Sequence, residues 1–337
     1  MHKGELSRRK FIRLASGAII SFAALGLSGC GSDSAQKSES ENTAKAANSN
    51  DNSEVSNMAK VYFSNDISPQ SLINLYSKIN EGITGKVAIK LHSGEPHGPN
   101  LLPIELIRSL QATIPNSTIV ECNVAYGGPR YNTDSHLSTL KTNGFDFCPV
   151  DIMDADEDID LPVPKVGRET RLDSVPVGSH IKNYDSMLVY THFKGHMMGG
   201  FGGSLKNIAI GCASSKGKLI VHGKGWPTGK PFLERMVEAG YAVAEHFKGH
   251  ITYINVLKNL SVDCDCDAHG AAPTMGDIGI LASTDLLAID QASVDLVYAA
   301  SDSKDLINRI ESKEGLHQLD YMETLGVGNR KYDLVQI

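Results

Sequence analysis

The sequence predicts an α/β fold: a mostly parallel sheet with helices on both faces, in a single domain that follows a disordered amino-terminal tether. Short β-rich runs alternate with helical apolar patterns from residue 58 to residue 337. Such alternation is what strand–helix–strand crossovers require. No repeat of 20–50 residues interrupts it. No internal linker divides it either, so one domain is expected although 337 residues would hold about two of average size.

Lys60-Val61-Tyr62-Phe63 reads as the first strand. Ser68-Pro69 then opens a helix through Leu72, Leu75 and Ile79, with Pro at a tolerated early position. Lys86 to Leu91 is a second strand, and Pro103 to Ile114 carries apolar residues at 104, 106, 107 and 110 in helical spacing. Ser117 to Cys122 is a strand, Thr133 to Asn143 a helix closed by Gly144, and Cys148 to Ile152 a strand. Asp185 to Tyr190 reads as a buried strand. Lys230 to Phe247 is the clearest helix, with Phe232, Leu233, Met236, Val237, Val243, Ala244 and Phe247 on one face. Ile251 to Leu257 is β-rich, Thr284 to Ala299 helical, and Tyr332 to Ile337 a terminal strand.

Residues 1–29 read as a targeting segment, apart from the fold. Ser7-Arg8-Arg9-Lys10-Phe11 resembles a twin-arginine export motif, and Leu14 to Leu27 is too short for a membrane span. Leu27-Ser28-Gly29-Cys30 resembles a lipobox, which makes Cys30 the expected lipidation site. Residues 31–57 are Ser, Ala, Asn, Glu and Lys with almost no apolar content, so burial there cannot offset chain entropy. The expected organisation is a signal peptide (1–29), a lipidated Cys with a disordered linker (30–57) and an α/β domain (58–337). The expected location is the bacterial cell envelope, outside the cytoplasm and anchored by lipid. The export machinery and the membrane are the partners this implies.

The composition, 41% hydrophobic and about half apolar once the 32 glycines are added, is that of a globular chain. Residues 1–29 carry Lys3, Arg8, Arg9, Lys10 and Arg13 against Glu5, so the 308 residues from Cys30 onward have net charge −11. That balance argues against nucleic acid as a partner. Setting Cys30 aside leaves Cys122, Cys148, Cys212, Cys264 and Cys266, an odd number that cannot all pair.

Ligands of parallel sheets sit past the carboxyl ends of strands. There the sequence places His92 and Glu95, then Arg130, then His192, Lys194 and His196, then the run Asp263-Cys264-Asp265-Cys266-Asp267. In an extended segment Cys264 and Cys266 point the same way. They would share a soft metal or a cluster, with His192, His196 or Cys212 completing the set. A hard-ion site on the three aspartates, or a solvated acidic loop, is the alternative. The spacing of His192 and His196 would put both on one helix face, although the glycines that follow favour a loop. Gly199 to Lys206 is Gly-rich and lacks the P-loop's Gly-Lys; its backbone N–H groups or Lys206 would meet an anion, or the glycines serve close packing. Asp290, inside an apolar helix, needs a partner.

The segments KVAIKLHSGE, ECNVAYGGPRYNTDSHL, THFKGHMMGGFGGSLKNIAIGCASSKGK, INVLKNLSVDCDCD, DIGILASTDLLAIDQASVDLVY and LGVGNRKYDLVQI together resemble domain of unknown function 362, a family of uncharacterised iron–sulfur centre proteins. The resemblance spans residues 58–337. Many members carry a ferredoxin-like insertion with Cys-x-x-Cys-x-x-Cys runs. Here VHGKGWPTGKPFLERM stands in that region, without such a run.

These readings converge on an exported metal or iron–sulfur-site protein, redox-linked and of oxidoreductase type, with an unidentified redox partner. Cys264 and Cys266 are the first ligand candidates, followed by His192, His196 and Cys212. The catalytic candidates are His92, Glu95, Lys194 and Lys206, and Arg130 and Lys206 are the anion-binding candidates. The competing readings are a metal-assisted hydrolase using His92, Glu95 and the aspartate-rich loop, and a solute-binding lipoprotein for an anion.

Overall fold

The computed structural model describes residues 58–337; the signal-peptide, lipobox and tether expectations lie outside the described residues. The order is β1 (Ala59–Ser64), α1 (Pro69–Tyr76), β2 (Val87–Lys90), α2 (Ile104–Gln111), β3 (Ser117–Glu121), α3 (Thr133–Thr142) and β4 (Val150–Ile152). A hairpin, β5 (Asp158–Pro162) and β6 (Ser174–Gly178), precedes β7 (Ser186–His192) and a second hairpin, β8 (Lys194–His196) and β9 (Gly200–Gly202). Then come α4 (Ser204–Gly211), α5 (Ser215–His222), α6 (Lys230–His246), β10 (Ile251–Leu257), β11 (Gly279–Ser283), α7 (Leu286–Ala299), α8 (Lys304–Ser312), α9 (His317–Leu325) and β12 (Tyr332–Gln336).

Eight strands form one sheet in the order β12-β1-β11-β10-β7-β2-β3-β4. All neighbours are parallel except β11, which runs antiparallel to both β1 and β10. The 258–278 connection from β10 to β11 contains no helix, as an antiparallel neighbour allows.

Alternate residues of the strands feed two cores. Met187 and Val189 of β7 join Ala88 and Val120 under α4, α6 and α7, represented by Leu205, Phe232, Met236 and Ile289. Leu188 and Tyr190 join Ile89, Ile119 and Ile254 under α1 and α2, represented by Leu72, Leu75 and Leu110. Both faces are therefore covered, and each fully buried Leu contributes roughly 1.5–3 kcal/mol. The caps are local: Ser68 Oγ accepts the N–H of Ser71 ahead of Pro69, and Asn132 Oδ1 accepts that of Ser135. Among the described residues no helix is long and apolar enough to cross a membrane.

Candidate functional site

From β2 the sheet grows outward through β3 and β4, and from β7 the other way through β10. The order thus reverses between β2 and β7, where the carboxyl ends of open parallel sheets leave a crevice. A cavity of about 360 Å³ lies there. The ends of β2, β3 and β7 supply Lys90, Glu121 and His192 to its wall, and the loop after β10 supplies Cys264 and Cys266.

Its floor is an ion pair. Lys90 is completely buried, and its Nζ donates to Glu121 Oε2 at 3.1 Å, to Asn207 Oδ1 at 3.0 Å and to the Leu91 carbonyl. Glu121 Oε1 accepts the N–H and Oγ–H of Ser93 at 2.8 and 3.0 Å. Burial works against the Glu121 carboxylate, but Lys90 and His92 hold it well below the usual carboxylate range. His92 Nδ1 is 3.7 Å from Glu121, while its buried Nε2 has no hydrogen-bond partner among the described residues. Neither Lys90 nor Glu121 stood out in the sequence. The signal was there: each is a charged residue that directly follows buried apolar residues at the end of a strand, where burial requires a partner.

Cys264, Cys266 and His196 come together, a ligand atom from each lying within 4.8 Å of the other two. The two thiols hydrogen-bond to each other. That bond, with Lys206 and Lys194 opposing burial, lowers the Cys264 pKa well below its ordinary value, while the same bond and burial raise that of Cys266. Burial and Lys206 hold His196 well below the imidazole range, so the ring is neutral. Its Nδ1 accepts the backbone N–H groups of Met198 and Gly199 at 3.2 and 3.0 Å. A neutral imidazole that accepts at Nδ1 carries its proton on Nε2. Metal-bound histidines instead donate through the second nitrogen. His196 therefore takes a metal only once the Met198–Gly199 turn lets go of Nδ1.

The other ligand candidates are not part of this group. His192 Nδ1 meets Asp265 Oδ2 at 2.8 Å and Nε2 meets the Lys258 carbonyl at 2.8 Å, so both nitrogens are engaged. Cys212 is fully buried, its carbonyl accepting from Cys122 Sγ. The i, i+4 spacing is not helical: His192 ends β7 and His196 ends β8, with Phe193 turning the chain between them.

The three aspartates diverge. Asp263 pairs with Arg309 at 3.0 Å, Asp265 with His192 and with Lys194 Nζ at 2.9 Å, and Asp267 accepts the N–H of His269. They converge on no common ion position, which removes the hard-ion reading. Asp265 and Cys264 keep the Lys194 ammonium charged against burial. Glu95 is likewise committed: Arg130, nearly fully buried, donates to its Oε1 from Nε and Nη2 at 3.0 and 2.7 Å, and Tyr126 joins them. Arg130 thus already has its carboxylate.

The Gly-rich loop leads into α4, whose first N–H groups are taken by Asp290 rather than left for a ligand. Lys206, the next residue of α4, lines the cavity with no hydrogen-bond or ion-pair partner among the described residues. Residues that the sequence did not single out complete the wall, among them Lys218, His222 and Trp226. Lys218 donates to the Ala213 carbonyl at 2.6 Å, and burial pushes its ammonium down. His222 stacks between Trp226 and Phe232, with centroids 4.0 and 5.1 Å away.

The sequence matches the family described as "Domain of unknown function (DUF362)" over residues 87–295. No curated protein matches it. Among solved structures, the lactate racemase apoprotein from Thermoanaerobacterium thermosaccharolyticum is similar with a TM-score of 0.38 at 15% identity, covering 58% of this chain and 50% of that one. A structural-genomics protein from Thermotoga maritima is similar with a TM-score of 0.41 at 12% identity, covering 71% of this chain and 60% of that one. The chain therefore spans about half of the first and about three fifths of the second.

Proposed function

This chain belongs to the DUF362 family, and on that premise we propose that it is an exported, lipid-anchored metal-site protein whose pocket holds one soft metal ion on Cys264 and Cys266. The observation that carries the reading is the meeting of Cys264, Cys266 and His196 within 4.8 Å in the cavity at the strand ends. Two thiols and an imidazole are donors suited to soft and borderline ions. Three protein ligands leave a coordination position open, the pattern of a reacting site rather than a closed structural one. Cubane and rhombic iron–sulfur clusters take four protein ligands. Among the described residues no fourth His, Cys, Asp or Glu joins this group, which favours a single ion over a cluster.

The two cysteines bind first, because the backbone holds His196 Nδ1. A bound ion would supply Lewis acidity, and electron transfer if it is redox-active. Around it Lys90 keeps Glu121 ionised, and His92, beside both Glu121 and Cys264, is the group placed to accept or give a proton. Arg8, Arg9 and Cys30 support export by the twin-arginine route and lipid attachment, with residues 31–57 as the tether.

Anaerobic titration of the full-length protein with cobalt(II) tests the ligand set. A thiolate-to-cobalt absorption band should saturate at a single equivalent and vanish in the Cys264→Ser/Cys266→Ser variant. A parent protein that gives no such band would sink the reading.

A further inference from the structure

One cation of the cavity wall makes no hydrogen bond or ion pair among the described residues. Lys90 is matched by Glu121, Lys194 by Asp265 and Arg130 by Glu95, while Lys218 lies on the Ala213 carbonyl with Asp154 acting on it. Lys206 alone has no hydrogen-bond or ion-pair partner among the described residues. Its charge lowers the pKa of Cys264, Cys266 and His222 alike, which favours thiolates and a neutral imidazole. A divalent ion on two thiolates is electrically neutral, so it would leave Lys206 uncompensated.

Beyond Lys206 the wall is aromatic. His222 is only 7% exposed, and its Nδ1 has no partner among the described residues. Burial and Lys206 hold the ring down to about 3, so it adds no charge. It lies sandwiched between Phe232 and Trp226. Trp226 remains 38% exposed and borders the cavity with its backbone at φ +54°, a left-handed conformation uncommon for a bulky side chain. Val124, Met198 and Ile210 add apolar surface.

We propose that this pocket binds an aromatic carboxylate, its ring lying on Trp226 and its carboxylate pairing with Lys206 beside the two thiols. The charge count on Lys206 rests on the metal reading above, since without an ion the Cys264 thiolate would face it; the aromatic surface does not. A monoanion matches one free cation. A flat ring matches a tryptophan that is already held from behind by two stacked rings.

Trp226 is the only tryptophan in the chain, so its fluorescence reports this site directly. Benzoate, phenyl phosphate and benzyl alcohol are titrated into the zinc-loaded full-length protein and into the Cys264→Ser/Cys266→Ser variant, with calorimetry in parallel. Benzoate should give a saturable change in both proteins, and benzyl alcohol none. Lys206→Gln should weaken benzoate about tenfold or more, as loss of a charged hydrogen bond implies, while Lys206→Arg retains it. Zinc content is measured on each sample. A protein that takes no zinc yet binds benzoate through Lys206 overturns the metal reading and leaves this one standing. A protein that holds zinc but shows no saturable change, a Lys206→Gln variant that binds as well as the parent, or tighter binding of phenyl phosphate than of benzoate overturns the aromatic carboxylate.

Discussion

Asp290 accepts the backbone N–H of Ser204 at 2.8 Å through Oδ1, and its Oδ2 takes the N–H of Leu205 at 2.9 Å. The amino end of α4 is thus closed by a side chain of α7, and the Gly-rich loop is there to let the two meet. A Cβ on Gly203 would lie 2.4 Å from Asp290 Oδ1. Burial pushes the Asp290 carboxyl up to about 6, opposed by Asn255 and the two amides. Removing the carboxylate leaves buried N–H groups without an acceptor. Asp290→Ala is expected to cost about 2 kcal/mol or more in denaturant unfolding, and Gly203→Ala to be destabilising through the same contact. Wild-type stability in Asp290→Ala would show that this cap contributes little.

Lys90 and Glu121 carry the second expectation. Glu121→Gln strands a buried ammonium, and breaking a buried pair from one side costs about 3–5 kcal/mol. The double variant Lys90→Met/Glu121→Gln removes both charges and should recover much of that loss. A double-mutant cycle in urea measures the coupling; additive losses would mean that the two charges do not depend on each other.

These two pairs also mark where the sequence was legible and where it was not. The apolar runs of β7 and β10 and the amphipathic α6 stand out because burial on one or both faces imposes a local pattern. β11 is only five residues long, and nothing local announces that it runs against its neighbours. The β8–β9 hairpin exists because Gly195 presses against the Val262 backbone and Gly200 takes φ +79°, both tertiary facts. Within the site, the Cys-x-Cys loop and His196 could be picked out by residue type. That His192 turns to Asp265 instead follows from the chain's change of direction at Phe193. Lys90 and Glu121 lie 31 residues apart, so their pairing is invisible without the β2–β3 register, in which Lys90 lies opposite Val120.

A pH effect follows from His180. Asp151 and Asp156 bind its two ring nitrogens at 2.7 and 2.8 Å, Tyr184 donates to the same Asp151, and the carboxylates raise the imidazole pKa. A histidine pKa raised on folding adds stability that is fully present below its unfolded value of about 6.5 and is lost as pH rises through the folded value. The urea midpoint should therefore fall between about pH 6 and pH 8 in the parent, and fall less in His180→Gln. Equal slopes in the two proteins would exclude His180 as the source.

Export and anchoring rest on residues 1–57 and are tested there. Cys30→Ala should leave an unprocessed or released protein. Arg8→Lys with Arg9→Lys keeps the charge but loses the guanidinium shape, and should block export of the folded chain. Normal processing and membrane fractionation of both variants would refute the lipoprotein and twin-arginine assignments.

The central claim is that Cys264 and Cys266 hold a metal ion, and metal content tests it most directly. Full-length protein purified anaerobically is analysed for elements and by visible spectrum, beside Cys264→Ser/Cys266→Ser. The account predicts a stoichiometric soft metal in the parent and its loss from a variant that remains folded and soluble, because the two cysteines are its first ligands. A parent free of stoichiometric metal, or a variant that retains it, would contradict the account.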